Sequence, residues 1–456
     1  MTRIYPPLVV AKFGGTSVAD ADAMTRSAAI VLADKQVRVV VLSASSGVTN
    51  LLVALSEGLD TQQRQDKIET LRALQHKILA ALKQPAEVRQ KIDALLDRVT
   101  TLAQAAATTP SPELSDELVS HGELMSSLLF TEILRDRGAD AQWLDARDVI
   151  RTDAHFGCAV PDVGAIAQLA QAHVLPLVEQ AVVVTQGFIG SDAERRTTTL
   201  GRGGSDYTAS LLGEALQASR VDIWTDVAGI YTTDPRIVPQ AQRIDTISFS
   251  EASDMAAYGA KVLHPATLLP AMRKNIPVFV GSSKNPAAGG TLVCCETEDA
   301  QRYRAIAVRR RQTLVKCRRP ESLPPPDFNA KMFALLAQSQ IAADLVTTAE
   351  TGMALVLDAT HSTSGDDSEL IATLHTALSA HCTLEVETGL ALMTLVGHQL
   401  SRSAGVCQDV FSELDECAVR LICQGASDSN LSFLLPGDAA DNAVKALHRQ
   451  LFERVA

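Results

Sequence analysis

The 456-residue chain lacks most of the short signatures that would assign a function at once. It contains no G-x-x-x-x-G-K-[ST] loop and no G-x-G-x-x-G, which removes the usual mononucleotide and dinucleotide fingerprints. Its eight cysteines include no C-x-x-C pair, so neither a zinc ribbon nor a dithiol redox centre is expected. Adjacent Cys294 and Cys295 read as a strand end, and the thiols as reduced. No apolar run reaches the roughly 18 residues that a spanning helix needs. The stretch Met1–Pro7 has no charged segment followed by an apolar one, so a cytoplasmic protein is expected. A net charge of −12 disfavours nucleic acid and anionic membrane as partners. If the ligands are anions, their positive partners must be concentrated locally.

What the chain does hold is ordinary in bulk: 46% hydrophobic and 21% charged residues, enough for roughly two to four globular domains. Short β-branched runs at 8–13, 37–44 and 181–190 alternate with stretches of helical period. That alternation predicts an α/β fold with a largely parallel sheet. Residues 51–107 predict two helices with a mostly polar face, and a long helix is expected from Ser115 to Arg137, stopped by Gly138. Further strands are expected over 222–230 and 277–281, and Gly289–Val293 reads as the last before a change of character near residue 300.

Beyond that point the pattern becomes strand, helix, strand, strand, helix, strand, and it repeats. Met332-Phe333 corresponds to Val410-Phe411, a displacement of 78 residues. The same displacement carries Ile341 onto Val419 and Met353–Leu357 onto Leu431–Leu435. Two copies of one small α+β module are expected, forming a ligand-binding pair rather than a solenoid.

The densest chemistry is at the start. In Val9-Val10-Ala11-Lys12-Phe13-Gly14-Gly15-Thr16-Ser17 a β-branched strand carries a lysine, then two glycines, then two hydroxyls. Backbone N–H groups turned inward beside a lysine suit a polyanion; a tight turn needing glycine for steric reasons alone explains the same residues. Four other clusters share the pattern of small residues with a placed charge. They are Ser43–Asn50, Ser120-His121-Gly122-Glu123 in an apolar helix, Thr197–Asp206 with its glycine-dense turn, and Trp224–Arg236 followed by Tyr258–Pro265. The Gly122 position costs a helix about 1 kcal/mol against alanine, which points to close approach of another element. His121 and His264 have no metal-ligand spacing around them and read as structural. Together the clusters suit an enzyme that holds two anions against each other.

Lys12–Ser17, Thr199–Asp206, Thr225-Asp226 through Arg236, and Tyr258–Pro265, in that order, resemble the signatures of the aspartate kinases over essentially the whole chain. The likeness is strongest to the lysine-sensitive bacterial branch without a fused dehydrogenase. The resemblance implies an amino-acid-kinase fold over 1–298, then two ACT modules over 303–390 and 391–456, the first inserted within the second. It implies transfer of the γ-phosphoryl group of ATP, with Mg²⁺, to the side-chain carboxylate of L-aspartate, the first step toward lysine, threonine and methionine. A carboxylate acceptor with a pKa of about 3.9 is already ionised at neutral pH, so the absence of an H-R-D base motif fits. By the same resemblance Lys12 stabilises the transferring charge and Asp206 orients Lys12. Arg202 grips the substrate α-carboxylate, Glu123 meets its ammonium, and Thr49, Phe188, Gly203, Gly204 and Ser205 complete that pocket. Gly14, Gly15, Thr225, Asp226, Tyr231, Arg236, Lys261 and Val262 hold the nucleotide, with no all-protein metal cage. A homodimer through the ACT modules is implied.

The sequence departs from that pattern in the effector region. The loop Arg318–Asn329 carries Pro324-Pro325-Pro326 and Asp327 where the relatives have a glycine-containing segment, and each proline removes an N–H donor. Ser322, Phe328, Asn329, Asp344, Thr348 and Glu350 remain as candidate effector residues, while Ala342 and Ala349 stand where serine is expected. The expectation is an intact catalytic half with a lysine response weakened, lost or redirected to another amino acid. Two alternatives stay open: a kinase of another small amino acid, and an effector-binding regulatory protein with an inactive kinase domain.

Overall fold

The structure is a computed structural model that describes residues 7–453 apart from 260–262, 264, 296, 298–300, 340, 359–366 and 416. It divides into two units. The first comprises Met1–Ile230, Arg243–Ser253 and Lys261–Asp299; the second comprises Tyr231–Gln242, Asp254–Ala260 and Ala300–Ala456.

The strands of the first unit are β1 Val9–Phe13, β2 Val37–Leu42, β3 Ala141–Trp143, β4 Val182–Gln186, β5 Ile189–Ser191, β6 Thr197–Thr199, β7 Arg220–Thr225, β8 Thr246–Ser248, β9 Val278–Ser282 and β10 Gly290–Cys294. Eight form one sheet in the order β3-β4-β2-β1-β7-β9-β10-β8, and β5 pairs with β6 in a separate hairpin. All neighbours in the large sheet are parallel except β9 and β10. The central strand β1 is buried at every residue, as a β-branched run covered on both faces should be. The α/β architecture expected from the alternation is the one observed.

The region 51–107 differs from expectation in detail. It holds the end of a Val48–Ser56 helix and two further helices, Thr61–Leu79 and Ala86–Ala106. The first break falls at Gly58, whose φ is +86°, and Pro85 stands at the start of the last helix. The long helix starts earlier than Ser115, at Pro112, and runs to Asp136. Ser111 Oγ accepts from Leu114 N at 3.2 Å, and proline at the first helical position has no N–H to waste. This helix is buried continuously from Leu118 to Ser127. A Cβ at Gly122 would stand 2.7 Å from the Ala44 side chain, so the glycine admits the loop after β2 against the helix.

In the second unit, β11 Ala305–Arg318, β12 Leu345–Ala349, β13 Gly352–Asp358, β14 Thr383–Val396, β15 Leu421–Gln424 and β16 Asn430–Pro436 make an antiparallel sheet in the order β12-β13-β11-β14-β16-β15. Among the described residues three apolar clusters include its strands, and two of them are cores that join it to helices. One joins Val315, Cys317, Phe328, Met332, Leu355 and Leu374; the other joins Ile306, Met393, Val410, Phe433 and Val444. The register shifts between them at Arg310/Gln312, where Arg311 has a φ of +59°. The repeated positions fall on matching elements: Met332 and Val410 on helices, Met353–Leu357 within β13 and Leu431–Leu435 within β16.

Candidate active site

The C-terminal ends of the parallel strands gather the polar residues, as open α/β sheets generally do. Lys12 sits on β1, and after Phe13 the chain turns so that Gly14 N donates to Trp224 O at 3.0 Å and Gly15 O accepts from Ser46 N at 3.1 Å. The loops after β1, β2 and β7 are thereby laced side by side. Ser17 Oγ and Ser283 Oγ lie 2.6 Å apart, and Ser283 N donates to Thr225 O at 2.9 Å, which adds the end of β9.

Asp206 reaches this strand end from the first turn of the Gly204–Leu216 helix. Lys12 Nζ and Asp206 Oδ1 form an ion pair at 2.5 Å, with side chains only 10% and 14% exposed. The helix begins from Gly203 in the left-handed conformation, φ +72°, and has no side-chain cap. Gly204 N donates to Gly201 O at 3.0 Å, and the positive end of the helix dipole lies at the turn that brings Asp206 to Lys12, an arrangement that favours anions.

Glu123 comes from the long helix. Its Oε1 accepts from Ala44 N at 3.0 Å, while Oε2 is buried without a hydrogen-bond partner. Burial pushes this carboxyl up to about 8; the bond from Ala44 and the charge of Lys12 oppose that shift without cancelling it. Ser45 Oγ, on the same loop as Ala44, is likewise buried and unpartnered. A buried carboxyl oxygen left without a donor costs energy unless a ligand supplies one. This site is built for a cation beside an anion.

The remaining pocket candidates surround that point. Gly187 packs so closely on Ser205 that a Cβ there would lie 2.5 Å from the serine Cβ. Phe188 holds a positive φ of 71°, fixed by its N–H on Thr208 Oγ1 at 3.0 Å and by Leu200 N on its carbonyl at 2.8 Å. For a bulky side chain that backbone is strained, a feature common where a ligand is gripped. Its ring lies against Gly204. Thr49 is half-buried in the first turn of the Val48–Ser56 helix. Arg202 is exposed and carries no ion pair among the described residues.

One residue that the sequence reading passed over is Asp116. Buried on the long helix, it accepts from Gly157 N at 2.9 Å, Thr199 N at 2.8 Å and Thr199 Oγ1 at 2.8 Å. Burial raises its carboxyl pKa against those three bonds. Its only signal in the sequence is its spacing, seven residues before Glu123 and so on the same side of a helix.

Residues 7–282 match the model of the amino acid kinase family, and 393–451 match an ACT domain. The chain is 58% identical to the lysine-sensitive aspartokinase 3 of Escherichia coli over 98% of its own length and 99% of that protein's. The chain belongs to the aspartokinases. It is also 32% identical to an aspartokinase of Chlamydia pneumoniae, covering 98% of each. Among solved structures, E. coli aspartokinase III in complex with aspartate and ADP, in the R-state, matches with a TM-score of 0.91 over 98% of this chain and 100% of that one. The same protein with lysine and aspartate, in the T-state, matches with a TM-score of 0.83.

Not every nucleotide candidate of this aspartokinase lies in one unit. Thr225 ends β7, with its hydroxyl on Asp226 Oδ1 at 3.2 Å, in the first unit. Tyr231 and Arg236 belong to the Tyr231–Gln242 segment of the second, where Val238 enters an apolar core and Thr232 Oγ1 lies 2.9 Å from His448 Nε2. Lys261 and Val262 lie outside the described residues. Among the described residues no cluster of three or more His, Cys, Asp or Glu could hold a metal.

The effector candidates differ in burial, from the apolar core to the exposed surface. Phe328 is 0% exposed in an apolar core, so its side chain supports the module from within. Asp344 pairs with Arg309, and Ser322, Thr348 and Glu350 are exposed. Asn329 is half-buried in the helix behind the proline run. Arg319 occupies the loop itself: Nη1 donates to Leu323 O at 2.5 Å and Nε to Glu350 O at 2.9 Å.

Proposed function

We propose that this aspartokinase transfers the γ-phosphoryl group of ATP to the side-chain carboxylate of L-aspartate, giving 4-phospho-L-aspartate. The observation that carries the reading is the Lys12–Asp206 ion pair set beside a buried Glu123 oxygen that has no partner. An amino-acid ammonium supplies that partner, and Arg202 receives the α-carboxylate through its two-pronged guanidinium. The acceptor carboxylate then points toward Lys12, whose charge offsets the charge spreading over the transferring group. Asp206 holds the lysine ammonium in place. The acceptor is ionised before it binds, so the site needs no general base. Gly14, Gly15, Thr225 and Asp226, all in the first unit, are read as receiving the nucleotide. Magnesium bound to the phosphates supplies further charge neutralisation.

The second unit is read as two ACT modules with the first inserted in the second, binding an amino-acid effector and pairing two chains into a homodimer. The two apolar cores strung along one sheet support the inserted order. No described helix is long and apolar enough to cross a membrane. We read the enzyme as cytoplasmic.

The test is ATP turnover dependent on aspartate, run against a panel of other small amino acids. Turnover with aspartate that disappears in Lys12→Ala supports the reading. Turnover with another amino acid but not aspartate replaces the substrate, and none with any leaves a regulatory protein.

A further inference from the structure

The substrate reading needs two groups at a fixed separation, Glu123 for an ammonium and Arg202 for a carboxylate. Glu123 is rigidly placed, buried in a helix and bonded to Ala44 N. Arg202 is not: it is exposed, on a turn between two positive-φ glycines, Gly201 and Gly203. Its position is set by whatever holds the backbone of that turn. Leu200 N donates to Phe188 O and Ala159 N to Thr199 O, both at 2.8 Å, and Asp116 ties this strand end to the long helix. Asp116 Oδ2 accepts from both Thr199 N and Gly157 N, and its Oδ1 from Thr199 Oγ1. Thr199 ends β6, three residues before Arg202. The partner loop at Gly157–Cys158 lies directly against Gly201, where a Cβ would stand 3.3 Å from Gly157 O and from Cys158 Sγ. Asp116 therefore clamps the strand that enters the turn and the loop that backs it.

Asp116 and Glu123 stand two turns apart on one helix. We propose that Asp116 is a positioning residue for the amino-acid substrate: it fixes the Arg202 turn to the helix that carries Glu123, and so sets the spacing between the two charges that read the zwitterion. This rests on the assignment of Arg202 and Glu123 made above. An amino acid lacking either charge would be indifferent to that spacing, so the effect belongs to the acceptor and not to the nucleotide.

The experiment is steady-state kinetics on the full-length enzyme. Asp116→Ala is expected to raise KM for aspartate about tenfold or more, the scale of a small misplacement of a binding group. KM for ATP, and kcat at saturating aspartate, should stay within about twofold of wild type. Asp116→Asn is expected to recover near-normal aspartate KM. Its carbonyl oxygen can accept from both N–H groups while its amide donates to Thr199 Oγ1. In an Arg202→Ala background, Asp116→Ala should add nothing further to aspartate KM.

Equal rises in both KM values, a fall in kcat with unchanged aspartate KM, or an asparagine variant as impaired as alanine would each overturn the proposal. Should Asp116→Ala fail to fold, Thr199→Val removes one of the three donors. A few-fold rise in aspartate KM supports the clamp, and no rise overturns it. If Arg202→Ala itself leaves aspartate KM unchanged, the substrate assignment fails. If Arg202→Ala raises it and Asp116→Ala does not, only the positioning role fails.

Discussion

The strand ends around Lys12 and the loop around Arg319 are both read as places where an amino acid binds, and they treat hydrogen-bonding capacity in opposite ways. Around Lys12 the capacity is unspent. Glu123 Oε2 and Ser45 Oγ are buried without partners, and the Gly204–Leu216 helix starts with no side-chain cap. Around Arg319 it is already used. The guanidinium bonds the carbonyls of Leu323 and Glu350, Asp344 is paired with Arg309, and the three prolines offer no N–H. A buried group that lacks a partner is strained toward binding one, whereas a loop that satisfies itself must first be opened. The difference separates a site prepared for its ligand from one closed over its own contacts.

The sharpest way to break this contrast is to remove the ion pair. Lys12→Ala should lower kcat by about 10³ or more, the scale of losing a main charge stabiliser, with the far-ultraviolet dichroism unchanged. Near-normal turnover in that variant would take Lys12 out of the chemistry. Next, Arg202→Lys should raise KM for aspartate about tenfold with little change in kcat, because an ammonium cannot grip a carboxylate with two prongs. An unchanged KM would show the guanidinium is not on the substrate.

A smaller effect follows from protonation. The Glu123 carboxyl is held up to about 8 in the folded chain by burial, against an ordinary value of 4.5. It must ionise to meet an ammonium, so aspartate affinity should improve as pH rises toward 8, with proton release on binding below that. Calorimetry in buffers of different ionisation enthalpy reads the release, and Glu123→Gln should abolish it. For stability the sign is opposite. The folded state keeps the proton that the unfolded chain loses, so the contribution of Glu123 is greatest below pH 4.5 and is lost as pH rises through 8. Melting temperature against pH, compared with the glutamine variant, checks it. The smallest effect is expected at the other region: lysine should inhibit only weakly, with half-inhibition in the millimolar range. Tight inhibition well below that would erase the contrast by showing that the proline loop opens easily.

Much of this was legible in the residues because the signals are local. The β-branched runs marked the parallel strands, and the 78-residue displacement marked matching helices and strands of the two cores. The misreadings were local as well. The long helix begins at Pro112 rather than at the expected Ser115, since a proline costs nothing where no N–H is needed. The polar stretch before it held one more break than its periodicity suggested. Asp116 was invisible for a different reason. A single acid among polar neighbours reads as a solvated face, and only its burial against two distant loops reveals an anchor. The Tyr231–Gln242 segment gave no compositional sign that it packs with the second unit.

From the sequence alone came the classes of element, the order of the modules and the residues rich enough in charge and glycine to carry chemistry, because each depends on neighbours a few positions away. Tertiary structure alone decided which charges meet and which are left wanting. The Lys12–Asp206 contact and the Asp116 clamp join residues far apart in the chain, and the Glu123 oxygen is orphaned by burial. Their energies depend on the water that folding removes, and desolvation is a property of the packed molecule rather than of any segment.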